Sequence, residues 1–427
     1  MVQAGVAVAT GVIAARVLGP TGEGELAAIQ TWPMLLATIA MLGIPEALVF
    51  YISRTPERSG QFVSTAVTIA MASSLLVGVV AWVFLPDLLS AQRPSVIAAA
   101  RVFLAIGPLY ALVGIPHGAL RGARLFVSWN VLRLFPNLVW LGVLISALVI
   151  GHGNAIVLSR LFLLGTAVTG FPALIIVRQR LRGKAVPDPH LAPSLLRFGL
   201  PSVLTTLPQT INLRLDQLLI VAFLPARSLG LYVVAVAWSG ALAPLLSAVG
   251  SVLFPHVSAE HGAERQSQML STALQGGMVV AIAGCVVLMA LAPLGVPLVF
   301  GSRFSRAVPS AMVLVPAGAI LAWAAVAKEG LRGLGRPTVV LVAEILAAVV
   351  TVATLPVLLS RFGIVGASVA SLLGYSTVGV FTAVAISRIT HLPLRSVVVP
   401  TWSSTKSTVH RSISLLPGRR RGSDSND

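Results

Sequence analysis

The chain has 427 residues, of which 56% are hydrophobic and 10% charged, and its mean hydropathy is +0.93. Soluble domains carry roughly 25% charged residues, so a large water-soluble protein is excluded and the composition is that of an all-α polytopic membrane protein. The net charge of +17 would suggest nucleic acid on a soluble chain; here it belongs to the loops beside a membrane, and no nucleic-acid partner is expected.

A helix needs about 20 apolar residues to cross a bilayer. In chain order, spans are expected near 1–18, 25–52, 61–85, 96–119, 128–150, 154–177, 195–223, 229–255, 270–299, 308–327, 338–359 and 364–387, twelve in all. The opening stretch, MVQAGVAVATGVIAA, lacks the basic start of a secretory signal and reads as a retained first helix. Only fifteen residues precede Arg16, about 22 Å of helix, which leaves open a start further upstream.

The basic residues set the orientation. With the N-terminus in the cytoplasm, the cytoplasmic loops hold Arg54, Arg58, Arg121, Arg124, Arg178, Arg180, Arg182, Lys184, Arg265, Lys328, Arg332 and Arg336, and the tail adds seven more. The opposite side holds Arg16, Arg93, Arg227, Arg303, Arg306 and Arg361. Nineteen against six places both termini in the cytoplasm by the positive-inside rule. The tail, 391–427, is polar, ends PGRRRGSDSND and reads as disordered. Its basic cluster serves either to set topology or to touch anionic lipid. The single cysteine, Cys285, sits in an apolar run and reads as a small hydrophobe.

Two pairs of stretches repeat. Leu120-Arg121-Gly122 matches Leu331-Arg332-Gly333 at an offset of 211, and LGPTGEGELAAIQTW (18–32) matches LPARSLGLYVVAVAW (224–238) at 206, aligning Gly24 with Gly230 and Trp32 with Trp238. Both offsets approach half the membrane-embedded chain. Six spans is an even number, so the two halves cross in the same sense and are related by a pseudo-twofold axis along the membrane normal. The expected division is an N-terminal six-helix bundle at 1–183, a C-terminal six-helix bundle at 184–390, and the basic tail.

The informative residues are polar ones inside spans, where a charge costs about 2.5–3.5 kcal/mol on insertion scales. On a continuous seventh helix, Thr205, Gln209, Asn212 and Asp216 fall on one stripe, flanked by Thr206, Thr210, Arg214 and Gln217. In NVLRLFPNLVW of span five, Asn130, Arg133 and Asn137 share a stripe beside Pro136. Span two carries Glu46 and Arg54 on one face, and span eleven carries Glu344. Arg101, Arg160 and Arg197 lie near span ends and fit interfacial anchoring; Arg54 fits either that or a site. For Arg133, Arg214, Asp216 and Glu344 the competing reading is an interhelical ion pair with no transport role. Gly114, Gly118 and Gly122, four apart, read as a close-packing seam. No GxxxxGK[ST], CxxC or HExxH is present and the loops are short. No nucleotide-driven motor, metal site or cofactor is read from the residues, and an enzyme is not expected.

ARVLGPTGEGELAAIQTW (15–32), LLRFGLPSVLTTL (195–207), RLDQLLIVAFL (214–224), SLGLYVVAVAW (228–238), LRGLGRP (331–337) and RFGIVGASVAS (361–371), in this order and spacing, resemble the polysaccharide flippase branch of the multidrug/oligosaccharidyl-lipid/polysaccharide exporter superfamily. The resemblance covers about 1–390, and the short first span departs from it. It implies two six-helix bundles forming a V with alternating access. It also implies flipping of polyprenyl-pyrophosphate-linked oligosaccharide from the inner to the outer leaflet of the cytoplasmic membrane, beside glycosyltransferases and a polysaccharide polymerase.

A guanidinium binds phosphate oxygens through forked donors. Arg133 and Arg214, then Arg16 and Arg54, are therefore expected to hold the pyrophosphate. Asn130, Asn137, Gln209, Asn212 and Gln217 are expected to meet sugar hydroxyls. Asp216 or Glu344 is expected to balance charge or take a coupling proton or sodium ion. The alternatives are a multidrug or cation exporter, a peptidoglycan-precursor flippase, and, from another class, a membrane glycosyltransferase or polymerase.

Overall fold

The structure, a computed structural model, describes residues 2–151, 153–260 and 262–399. Helices account for nearly all of them, and no strand occurs among the described residues. Among the described residues, nine helical segments are long and apolar enough to cross a membrane. Two of these are double. Helix α1 (Val2–Ala40) bends at Gly19, whose φ of 65° and ψ of 179° are non-helical. Helix α14 (Pro337–Thr390) bends at Gly363, with φ 57° and ψ −138°. The seventh span is split into α8 (Ala192–Asn212) and α9 (Leu215–Phe223). Twelve spans result, within a few residues of the sequence expectation.

Several breaks have plain causes. Proline has no N–H for the i→i−4 ladder. Span four divides into α4 (Pro94–Phe103) and α5 (Ile106–Gly122), where Pro108 cannot donate to the Leu104 carbonyl, which accepts instead from the Gly107 N–H at 3.1 Å. Span eight divides into α10 (Ala226–Ser239) and α11 (Ala243–Ala259) around Pro244. Between α1 and α2 (Ile44–Arg54), Leu42 and Gly43 adopt left-handed backbone at φ 50° and 66°, and Pro45 opens α2. The remaining helices are α3 (Ser59–Leu88), α6 (Phe126–Ile150), α7 (Ala155–Arg180), α12 (Ala263–Phe300), α13 (Val308–Gly333) and the short α15 (Leu394–Val398).

The chain divides into two compact units. The first comprises Met1–Trp238, Leu291–Leu314 and Ala348–Ser371. One of its cores gathers Ile29, Leu85, Leu89, Phe103, Tyr232 and Phe304; another gathers Ile44, Leu48, Ile52, Ile115 and Leu120. The second comprises Ser239–Ala290, Val315–Ala347 and the residues from 372 on; its core holds Leu246, Leu270, Leu274, Trp323, Val340 and Val397. These boundaries do not follow the expected division at 183/184, because α12, α13 and α14 each contribute to both units.

Within the first unit the aligned glycines of the repeat meet. A Cβ on Gly24 would lie 1.6 Å from the Ala226 carbonyl oxygen, and one on Gly230 would lie 2.0 Å from the Pro20 carbonyl oxygen. Pro20 and Ala226 are themselves 206 residues apart, the spacing of Gly24 and Gly230. The same contact therefore occurs twice, with partners exchanged, as a twofold relation between repeats generates. The other repeated pair agrees. Gly122 closes on the Leu48 carbonyl of α2 in the first unit, and Gly333 closes on the Phe254 carbonyl of α11 in the second. The Gly114–Gly118–Gly122 seam seats α2, with Gly118 against Pro45 and Gly122 against Leu48.

Of the tail, residues 391–399 are ordered rather than disordered. Val397 is fully buried, and the Ser396 carbonyl accepts hydrogen bonds from Ser271 and Gln275 of α12. Residues 400–427, with the basic cluster, lie outside the described residues.

Candidate functional site

The seventh span interrupts itself at Leu213 and Arg214, and this decides what its polar residues do. The break begins a new helix, so the first N–H groups of α9 have no intrahelical acceptor. Asp216 in the first turn supplies one: its Oδ1 accepts from the Gln217 N–H at 2.7 Å. Its Oδ2 accepts from the Tyr232 hydroxyl of α10 at 2.5 Å and from the Ser371 hydroxyl of α14 at 3.1 Å. The two hydroxyls lie 3.1 Å apart. Asp216 is 2% exposed. It is thus a buried carboxyl held by neutral donors from three spans, with no ion pair within 4 Å among the described residues.

The break also revises the single polar arc expected for span seven. A helical wheel does not carry across it. Arg214 caps α9 with φ −123° and is exposed, whereas Asn212, Asp216 and Gln217 are buried. Gln209 is half-buried on α8. The side chains of Thr205 and Thr206 lie outside the described residues.

On α6 the expected stripe forms. Asn130 and Arg133 are exposed and Asn137 half-buried. The Asn130 and Asn137 amides donate to the carbonyls of Phe126 and Arg133 one turn back, leaving their own oxygens as acceptors. The Arg133 guanidinium lies 5.2 Å over the Trp129 ring, a cation–π placement. Helix α5 brings two further groups that the sequence analysis did not single out. Tyr110 lies within electrostatic range of Arg214, and His117 within range of Arg133. Tyr110 and Asn137 line a cavity of about 140 Å³ between α5, α6 and α7. Helix α5 of the first unit thus sets Tyr110 near Arg214 and His117 near Arg133, and Tyr110 shares a cavity with Asn137. Among the described residues neither arginine is ion-paired with a carboxylate.

The other expected residues are placed elsewhere. Arg16 donates through Nε to the Val299 carbonyl at 2.8 Å and through Nη2 to the Leu298 carbonyl at 2.6 Å. It satisfies carbonyls at the C-terminal end of α12 that have no intrahelical donor. Arg54 is exposed at the end of α2, its guanidinium 4.0 Å over the Phe50 ring. Glu46 pairs with Arg121 at 3.4 Å.

Glu344, in the second unit, is paired. Its Oε1 accepts from the Lys328 ammonium at 2.7 Å, with both side chains under 5% exposed. This corrects the placement of Lys328 in a cytoplasmic loop: it lies inside α13, buried at 3%. Its signal was the apolar run LAWAAVA before it, which continues the helix past the point where the first charge suggested a loop. Glu23, which falls between the expected spans 1–18 and 25–52, is likewise helical and buried at 8%. Pro20 starts that helix directly after the Gly19 kink, as proline in a first turn does.

A family model described as "Polysaccharide biosynthesis protein" matches residues 1–261. No curated protein matches the sequence. Among solved structures, the chain is similar to a lipid II flippase, MurJ, in an inward closed conformation, with 12% identity and a TM-score of 0.79 over 98% of this chain and 92% of that one. It is similar to an inward-facing multidrug resistance MATE family transporter of the MOP superfamily, with 17% identity and a TM-score of 0.68 over 91% and 96%. It is also similar to the eukaryotic MATE transporter AtDTX14, with 16% identity and a TM-score of 0.61 over 96% and 97%. At these identities the likeness is one of fold. With more than half its length matched, this multi-pass membrane chain, whose fold is similar to those of a lipid II flippase and of multidrug resistance MATE transporters, belongs to the polysaccharide biosynthesis protein family.

Proposed function

We propose that the chain flips polyprenyl-pyrophosphate-linked oligosaccharide from the cytoplasmic to the outer leaflet of the cell membrane by alternating access between two six-helix bundles, for surface or exported polysaccharide. The observation that carries this reading is the two intramembrane guanidinium groups: Arg133, near His117 and Asn137, and Arg214, near Tyr110, neither of which is ion-paired with a carboxylate among the described residues. An unpaired cation inside a span is costly. A passenger carrying two or more negative charges offsets that cost when it occupies the site. Forked donors suit phosphate oxygens, and the asparagine carbonyls suit sugar hydroxyls.

Asp216 is the better of the two acidic residues for a coupling proton or sodium ion. Its partners are hydroxyls and an N–H, which a proton or a cation can replace, whereas Glu344 is already neutralised by Lys328. Arg16 and Arg54 play supporting roles at the span ends. Both termini face the cytoplasm, and glycosyltransferases and a polysaccharide polymerase act before and after the chain.

The same superfamily contains exporters of cations and flippases of peptidoglycan precursors. A cation exporter needs net negative charge where its cargo sits, and the Arg133–Arg214 region carries the opposite sign. The test is export of polysaccharide in cells whose own flippase is deleted. The chain should restore it, and Arg214→Ala should abolish it without loss of membrane insertion. Restoration of peptidoglycan-precursor flipping instead, with none of polysaccharide export, would reassign the cargo.

A further inference from the structure

The second unit contains a trough unlike the arginine region. It has a volume of about 510 Å³ and lies between α12, α13 and the last part of α14. Its floor is buried and apolar: Ala319, Trp323 and Ala383 are each under 7% exposed. The Trp323 indole N–H is already given to the Leu274 carbonyl at 3.0 Å, so the ring offers the trough only carbon. Its rims, Ile282, Val286 and Val380, are more than half exposed. One end is closed by Leu394 and Val398, one turn apart on α15. That short helix is fixed in place by Val397 in the core and by the hydrogen bonds from Ser271 and Gln275 to Ser396.

Charge stands at the closed end. Val380 and Val384 line the trough at i and i+4 of α14, and Arg388 is the next residue on that stripe. Arg395 follows Leu394 directly. Both arginines are exposed, and neither is ion-paired among the described residues. An apolar trough of this volume, within the usual range for small-molecule pockets, with two guanidinium groups beyond it on α14 and α15, can take a stretch of one hydrocarbon chain whose phosphate meets the arginines.

We infer that this trough holds the isoprenoid chain of a polyprenyl phosphate, with the phosphate at Arg388 and Arg395. A single trough suits one chain rather than the two of a glycerophospholipid, and two cations suit a phosphate of more than one negative charge. This inference rests on the flippase reading and adds a second contact to it. The carrier as its phosphate is bound on the second unit, a contact additional to the one proposed for the pyrophosphate-linked sugar at Arg133 and Arg214.

Cys285 lines the trough and is the only thiol in the chain, so it reports occupancy directly. The full-length protein, in nanodiscs of phosphatidylcholine, is treated with a small maleimide, and alkylation is followed by intact mass. Added long-chain polyprenyl phosphate should slow alkylation several-fold, and the same amount of phosphatidylglycerol should not. The double variant Arg388→Ala/Arg395→Ala, which leaves the trough and the thiol untouched, should lose the protection.

No slowing, equal slowing by phosphatidylglycerol, or equal slowing in the double variant would overturn the inference. So would a thiol equally protected with no lipid added, because another occupant, such as the chain's own residues beyond 399, would then fill the trough. Flipping of lipid-linked oligosaccharide is measured on the same purified protein reconstituted into proteoliposomes. Flipping without protection removes the trough and keeps the flippase reading, whereas protection without flipping removes the flippase reading and keeps a carrier-lipid site.

Discussion

Replacing Lys328 with Met leaves the Glu344 carboxylate buried, at 3% exposure, without the ammonium that stands 2.7 Å from it. Removing one partner of a buried ion pair costs about 3–5 kcal/mol, because the remaining charge is stranded. Met fills nearly the same space, so little of that loss comes from packing. Glu344→Gln should cost a similar amount by stranding the lysine. The double variant, Lys328→Met/Glu344→Gln, removes both charges and should recover most of the loss, since a buried pair replaced as a whole is often nearly neutral. The assay is thermal unfolding of the purified protein in detergent, run as a double-mutant cycle. Each single variant should fall on the order of 5–10 °C below the parent, and the double variant should lie closer to the parent than either. If Lys328→Met is as stable as the parent, or the double variant is no better than the singles, the pair does not neutralise itself as the geometry requires. Glu344 would then return as a candidate for ion coupling.

Other perturbations separate the remaining roles. Arg133→Lys should impair polysaccharide export in a complementation assay although the charge is kept, because an ammonium lacks the fork; unchanged export would reduce Arg133 to charge balance. Asp216→Asn should insert and fold but lose its response to an imposed proton or sodium gradient in proteoliposomes, and a retained response would remove Asp216 from coupling. Gly24→Val and Gly230→Val should each destabilise by about 3 kcal/mol or more, since a Cβ at either site runs into backbone. Gly78→Ala, which meets nothing within 4 Å, should be neutral or slightly stabilising in the same melt.

Hydropathy and punctuation carried most of the fold. The twelve spans were readable because each is a long apolar run bounded by Gly, Pro or charge, and the kinks at Gly19 and Gly363 fall where the sequence already divides spans. The repeat was legible from Gly24 and Gly230 because close backbone approach at a crossing admits only glycine, so the same residue recurs in both halves. What escaped was set by tertiary context. Nothing between Pro208 and Phe223 announces the break at Leu213–Arg214: no proline or glycine lies there, and the wheel that placed Arg214 beside Gln217 assumed a helix that stops. A charge usually ends a span, which puts Lys328 in a loop and Glu23 between spans on sequence alone. Both lie within helices, and for Lys328 the reason is a partner sixteen residues away on the next helix, which periodicity within one segment does not reveal. The stripe of Asn130, Arg133 and Asn137 was legible because it is local to one unbroken helix. The neighbours Tyr110 and His117 were not, because they come from α5.

The most direct measurement of the central proposal is flipping by the purified chain in proteoliposomes. Polyprenyl-pyrophosphate-linked oligosaccharide with a fluorescent sugar is placed in the inner leaflet, and its arrival outside is read by an impermeant quencher. The account predicts flipping by the parent chain, none by Arg133→Ala/Arg214→Ala, and no transport of organic cations by either. Equal flipping by the double variant, or cation transport by the parent chain with no movement of the lipid-linked sugar, would contradict it.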